Sequence, residues 1–168
     1  MKYGANCDCI SAPIADFTFT GTHSVTFTYT GTAGSTALDS VRWYFGDGTT
    51  STVLNPIHTY SAAGTFSVCV RVYSSCGGDV ECHDVVLTCP YTPVASFTYT
   101  GGPFTKNFTY TGTTAGVDSM RWKFGDGGTS TLTNPSHTYT APGTYTVCVT
   151  AYTWCTWDSA CTIFTVPA

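Results

Sequence analysis

The sequence predicts an all-β protein built as two tandem antiparallel β-sandwiches. Three observations carry that expectation: apolar residues alternate with hydroxyl residues, turn-forming clusters interrupt them, and the whole pattern occurs twice. Val25, Phe27 and Tyr29 alternate with Thr and Ser, and Val41, Trp43 and Phe45, then Phe66, Val68, Val70 and Val72, alternate with mostly polar residues. Phe108 and Tyr110, then Met120, Trp122 and Phe124, then Tyr145, Val147, Val149 and Ala151 follow the same rule later in the chain. A period of two puts one face of each strand in a core and the other in water. The chain has 34 Thr and 14 Ser in its 168 residues, so the wet faces are hydroxyl-rich and keep β propensity without charge. Gly-Asp-Gly and Asn-Pro clusters separate the runs, as turns between short strands require. No segment has the apolar spacing of a helix.

The repeat follows an offset of 79 to 81 residues. Ala15 to Gly21 aligns with Ala95 to Gly101, and Phe27 to Gly31 with Phe108 to Gly112. From Asp39 onward the offset is constant: Arg42-Trp43 matches Arg121-Trp122, and Phe45-Gly46-Asp47-Gly48 matches Phe124-Gly125-Asp126-Gly127. The offset changes only in Gly/Thr-rich stretches, where loops tolerate insertion. The expected organisation is a Cys-bearing segment at 1–9, one sandwich at 10–88, a Pro-containing connection at 89–93, and a second sandwich at 94–168.

Composition excludes several classes. Only 10% of residues are charged while 15% are aromatic, which is the reverse of a disordered chain. Six Lys and Arg against ten Asp and Glu give a net charge of −4, so no basic face for nucleic acid is expected. No apolar run is long enough to insert in a membrane. Nine Cys point to an oxidising, extracellular or cell-surface location. Met1 to Ser11 lack the apolar stretch of a secretory signal, so such a signal is expected outside this sequence.

The ordered motifs then resemble a known family. Trp43-Tyr44-Phe45-Gly46-Asp47-Gly48, Asn55-Pro56-Ile57-His58-Thr59-Tyr60 and Gly64-Thr65-Phe66-Ser67-Val68 resemble the PKD domain. Trp122-Lys123-Phe124-Gly125-Asp126-Gly127, Asn134-Pro135-Ser136-His137-Thr138-Tyr139 and Pro142-Gly143-Thr144-Tyr145-Thr146-Val147 resemble it more fully. The resemblance implies an immunoglobulin-like sandwich of the kind found in surface-layer and adhesion proteins and as accessory modules of secreted hydrolases, without catalysis of its own. Tyr44 and Lys123 stand where the family often has Asp. Some members bind calcium through clustered acids near the domain start. Here each copy offers only Asp39 or Asp118, too few for a site that needs six to eight oxygens, so no metal or cofactor is expected.

Individual residues read as follows. Trp43 and Trp122 are in phase with buried positions and should anchor the two cores. Asp47 and Asp126, each between glycines, suit tight turns in which a carboxylate caps backbone N–H groups. His58 and His137 are expected to hydrogen-bond to that turn region; no nucleophile elbow or spaced acidic pair accompanies them. Tyr60 and Tyr139 complete the motif. Asn107-Phe108-Thr109 is a glycosylation sequon at the start of a strand. Trp154 and Trp157 replace Ser75 and Gly78 of the first copy at a hairpin tip, where they would suit a partner surface or a sugar ring.

The cysteines repeat as well. Cys9, Cys69, Cys76 and Cys82 have Cys89, Cys148, Cys155 and Cys161 as counterparts, and Cys7 is extra. In an antiparallel hairpin, facing residues have a constant index sum. Residues 76 and 82 sum to 158, as do 69 and 89, so one unbulged register would set Cys76 opposite Cys82 and Cys69 opposite Cys89. In the second copy the same register pairs Cys155 with Cys161 and leaves Cys148 facing Ala168. The missing partner would then be Cys9 or Cys7 of the next molecule, joining protomers head to tail. The expected function is a non-enzymatic extracellular structural protein that polymerises with itself into a surface filament or array. The alternative is a carbohydrate- or protein-binding accessory or adhesion module of a larger secreted or surface protein, with polysaccharide or cell-surface components as its partners.

Overall fold

The computed structural model describes residues 9–168, and the chain divides into two compact units, Met1–Thr88 and Cys89–Ala168. In the first unit the alternating segments form β1 (Phe17–Thr20), β2 (Ser24–Tyr29), β3 (Leu38–Tyr44), β4 (Thr50–Ser51), β5 (Ile57–Thr59), β6 (Gly64–Ser74) and β7 (Gly77–Leu87). The second unit repeats them as β8 (Phe97–Thr100), β9 (Thr105–Tyr110), β10 (Ser119–Lys123), β11 (Thr129–Ser130), β12 (Ser136–Thr138), β13 (Gly143–Tyr152) and β14 (Trp157–Val166). Each unit is a sandwich of a three-stranded and a four-stranded sheet. The orders are β1-β2-β5 with β4-β3-β6-β7, and β8-β9-β12 with β11-β10-β13-β14. Every pairing is antiparallel. The all-β, immunoglobulin-like class read from the sequence is the class observed.

The cores are aromatic and lie between the sheets. Trp43 and Trp122 are fully buried, as expected from their phase. Phe17 meets Trp43 edge-on with ring centroids 5.0 Å apart, and Phe97 meets Trp122 at 5.1 Å. Val68, Val70 and Val72 on β6, and Val147, Val149 and Ala151 on β13, line the core beside Trp43 and Trp122 in the same sheets. Burying one such large apolar side chain contributes roughly 1.5–3 kcal/mol, which matters in domains of this size.

The hairpin register differs from the one inferred. Cys69 faces Cys82 and Cys148 faces Cys161. Residues 69 and 82 sum to 151 rather than 158. The cause is the turn: pairing runs to Ser74 opposite Gly77, leaving only Ser75 and Cys76 at the tip. Gly77, Gly78 and Asp79, which the inferred register would leave between the two strands, belong to β7 instead.

The disulfides change accordingly. Cys69 bonds Cys82 and Cys148 bonds Cys161 across the hairpins, each with Cα atoms 4.1 Å apart. Cys9 bonds Cys76 and Cys89 bonds Cys155, with Cα separations of 5.1 and 5.9 Å. The expected pairs Cys76 with Cys82, Cys155 with Cys161, and Cys69 with Cys89 therefore do not form. Cys148 has a partner within its own domain, so neither it nor Cys9 is available as an inter-subunit link. Cys7 lies outside the described residues. Cys89, expected in a connection at 89–93, is instead bonded into the second domain, as Cys9 is into the first.

Candidate functional site

The motif residues assemble into one clasp per domain, at the turn that leaves the Trp-bearing strand. Gly46 and Gly48 have φ of 81° and 90°, and Gly125 and Gly127 have 87° and 94°. This left-handed backbone costs little for glycine and strains other residues, which explains glycine on both sides of the Asp. The turn aims the carboxylate in two directions. Asp47 Oδ1 accepts from the Thr49 amide at 3.0 Å and from the Thr49 hydroxyl at 2.6 Å, while Oδ2 accepts from His58 Nε2 at 2.7 Å. Asp126 repeats the arrangement with the Gly128 amide at 2.9 Å and His137 Nε2 at 2.7 Å.

The imidazoles are fixed from two further sides. His58 stacks on Phe45 with centroids 4.1 Å apart and meets Tyr60 edge-on at 4.5 Å. His137 stacks on Phe124 at 4.1 Å and meets Tyr139 at 4.7 Å. The Tyr60 hydroxyl donates to the Phe45 carbonyl, and the Tyr139 hydroxyl to the Phe124 carbonyl, each at 3.0 Å. Turn, histidine and tyrosine thus form a linked network in which each carboxylate, each imidazole Nε2 and each tyrosine hydroxyl has a partner. Thr49 Oγ1 lies 3.3 Å from His58 Nε2, but its position is Gly128 in the second domain. The hydroxyl is therefore not part of the repeated arrangement, and the geometry is that of a structural clasp.

Electrostatics agree. Burial pushes the Asp47 carboxyl up, but hydrogen bonds from Thr49 and His58 outweigh it and hold the group below its ordinary value of 3.8. Asp126 is lowered in the same way against its own burial, by His137 and the Gly128 amide. Burial, with Asp47 nearby, pushes Tyr60 up to about 12, and burial with Asp126 and Tyr145 raises Tyr139 further. A carboxyl lowered in the folded state stabilises fully above its ordinary value, and that stability is lost as pH falls through the lower folded-state value. The carboxylates' contribution to thermal stability should therefore be complete above about pH 4 and decline as the pH falls further. Asp47→Asn combined with Asp126→Asn should lower the plateau and flatten the acid limb in a melting series from pH 7 to pH 2. An unchanged acid limb would remove the clasp as its source.

Other candidates are distributed rather than convergent. Trp157 is 64% exposed and opens β14 on the outward face, directly across from Tyr152. Trp154 sits partly buried in the loop between β13 and β14, so the two Trp do not share one tip. Asn107 is exposed on β9, between Ser136 and Thr100 of the neighbouring strands. Among the described residues no three His, Cys, Asp or Glu side chains converge as a metal-ligand set.

Two residues were missed by the sequence reading. Asp79 accepts from the Ala15 amide and Asp158 from the Ala95 amide, each at 2.8 Å, fixing each N-terminal segment to the hairpin beside its disulfide. Their signal was available, because the two aspartates repeat at the constant offset of 79. Asn55 and Asn134 act similarly: their side-chain oxygens accept from the Tyr29 and Tyr110 amides at 2.9 and 2.8 Å.

Fold and clasp together define an extracellular-type immunoglobulin-like sandwich module, present twice. The PKD-domain family model matches residues 10–89 and 96–163, and the chain belongs to that family. Solved structures similar to it include the PKD1 domain of the Vibrio cholerae metalloprotease PrtV, with 30% identity over 47% of this chain and 100% of that one, at a TM-score of 0.45. The PKD1 domain of Vibrio anguillarum Epp matches at 27% identity over 48% of this chain and 98% of that one, with a TM-score of 0.46. A two-domain fibronectin type-III segment of chicken tenascin matches at 12% identity over 92% of this chain and 99% of that one, with a TM-score of 0.37.

Proposed function

We propose that this chain is a non-enzymatic structural module of the extracellular space, and that its setting is a self-assembled surface filament or array. The supporting observation is where the chemistry-bearing residues are placed. Eight cysteines form four bonds inside the domains, and the Asp, His and Tyr of each repeat are used to close a turn. Disulfides of this density suit an oxidising compartment. No helix among the described residues is long and apolar enough to cross a membrane. With Cys148 bonded inside its own domain, contacts between copies through that residue are non-covalent. Electron microscopy of the native material tests the setting. Ordered fibrils support it; evenly dispersed particles overturn it and leave an accessory module of a larger secreted or surface protein.

One observation favours that second reading. Tyr152 and Trp157 place two aromatic rings side by side on an outward face, whereas the first domain has Tyr73 and Gly78 there. An exposed Trp157 beside a half-buried Tyr152 suits the apolar face of a sugar. If the pair holds polysaccharide, Trp157→Ala should cut retention on an insoluble polysaccharide severalfold, with melting unchanged. Equal retention of parent and variant would remove the reading.

A further inference from the structure

The two domains differ sharply along one edge. β7 and β14 are the last strands of their four-stranded sheets, and among the described residues each has a neighbour on one side only. Among the described residues, β14 makes backbone hydrogen bonds to β13 and to no other segment. Such an edge presents unpaired N–H and C=O groups to any passing strand, and folded proteins usually guard it with charge, proline or a bulge.

β7 is guarded. It carries Asp79, Glu81, His83 and Asp84 in eleven residues. The corresponding positions of β14 are Asp158, Ala160, Thr162 and Ile163. Only the aspartate that fixes the N-terminal segment is kept; the other three ionisable groups have become neutral. β14 is ten residues long, is paired without a bulge along its whole length, contains no proline, and exposes Ile163 at 65%. The same chain thus holds a charged edge and a nearly uncharged counterpart of it.

We propose that β14 is a docking edge for β14 of a second copy, the two strands pairing antiparallel about a two-fold axis. Among the edge strands β7 and β14, the charge pattern favours this pairing over any that involves β7. Homotypic β14 pairing brings together strands with a single carboxylate each, near one end, so no like charges face each other. Pairing that involves β7 introduces Glu81 and Asp84, and β7 against β7 sets carboxylates on both sides. An isologous contact of this kind closes as a dimer. It does not depend on the filament reading, since solution mass and microscopy of native material report separately.

Sedimentation velocity of the purified full chain across a concentration series tests it. The expected result is a monomer–dimer equilibrium that stops at the dimer. Ile163→Asp and Ser159→Lys change outward, exposed positions and should each raise the dissociation constant by about tenfold or more, with melting of the monomer unchanged. Removing the guards from the first domain, with Glu81→Ala and Asp84→Ile together, should carry association beyond the dimer. A monomer at every concentration overturns the proposal, including the case in which the edge takes a strand of another protein. A dimer indifferent to both β14 substitutions overturns it as well.

Discussion

Replacing Cys89 and Cys155 together with Ser should cost the second domain about 4 kcal/mol, the largest loss available from any single cross-link in it. The bond closes a loop of sequence separation 66, whereas Cys148–Cys161 closes one of only 13. In the chain-entropy model, restricting the unfolded chain scales with the logarithm of loop length, which gives about 4 kcal/mol for the long loop and about 3 for the short one. A domain of this size loses roughly 4–8 °C of melting temperature per kcal/mol, so the long-loop variant should melt on the order of 20 °C lower. Circular dichroism of the oxidised chain, compared with a Cys148→Ser, Cys161→Ser variant, reads both the size and the order. A larger effect from the short loop would show that native-state geometry, not chain restriction, sets their worth.

Trp122→Ala should destabilise the second domain by about 3–5 kcal/mol, through lost burial and the cavity left behind. The ring is fully buried against Phe97 and Phe108, and its Nε1 donates to the Leu132 carbonyl at 2.9 Å. Trp43 is buried as deeply, yet its Nε1 has no hydrogen-bond partner among the described residues. The two Trp sites therefore differ in this polar contact. Trp→Phe at 122 leaves the Leu132 carbonyl without its donor, whereas the same change at 43 removes an already unpaired group. The difference should be about 1 kcal/mol in favour of Trp43→Phe, readable as separate shifts of two calorimetric transitions. Equal costs would show that the indole hydrogen bond contributes nothing net.

Much of this was legible in the sequence, for identifiable reasons. Period-two alternation placed Val68, Val70 and Val72 on one buried face because a strand offers no other geometry. Repetition made Trp43 with Trp122, and His58 with His137, pairs that had to share a role. The hairpin register was not legible. It depends on where a two-residue turn falls, and Ser75-Cys76 carries a weaker turn signal than Gly77-Gly78-Asp79 beside it. That slip moved every cysteine facing. Alignment of the repeats was the better guide: treating Cys89 as the counterpart of Cys9 requires both to bond the same hairpin position, as they do with Cys155 and Cys76. The unguarded edge of β14 was present in the letters too, but only pairing on one side gives neutral residues there a meaning.

The long-loop disulfides also decide how the chain carries tension. A pull entering at Cys9 passes through sulfur directly to Cys76, and one entering at Cys89 passes directly to Cys155. The loops between, with sequence separations of 67 and 66, lie outside the load path and cannot pay out length even if their strands separate. Each would otherwise release roughly 200 Å of extended chain. Oxidised, the protein behaves under load as two short leashes across closed rings; reduced, it becomes an ordinary extensible polymer.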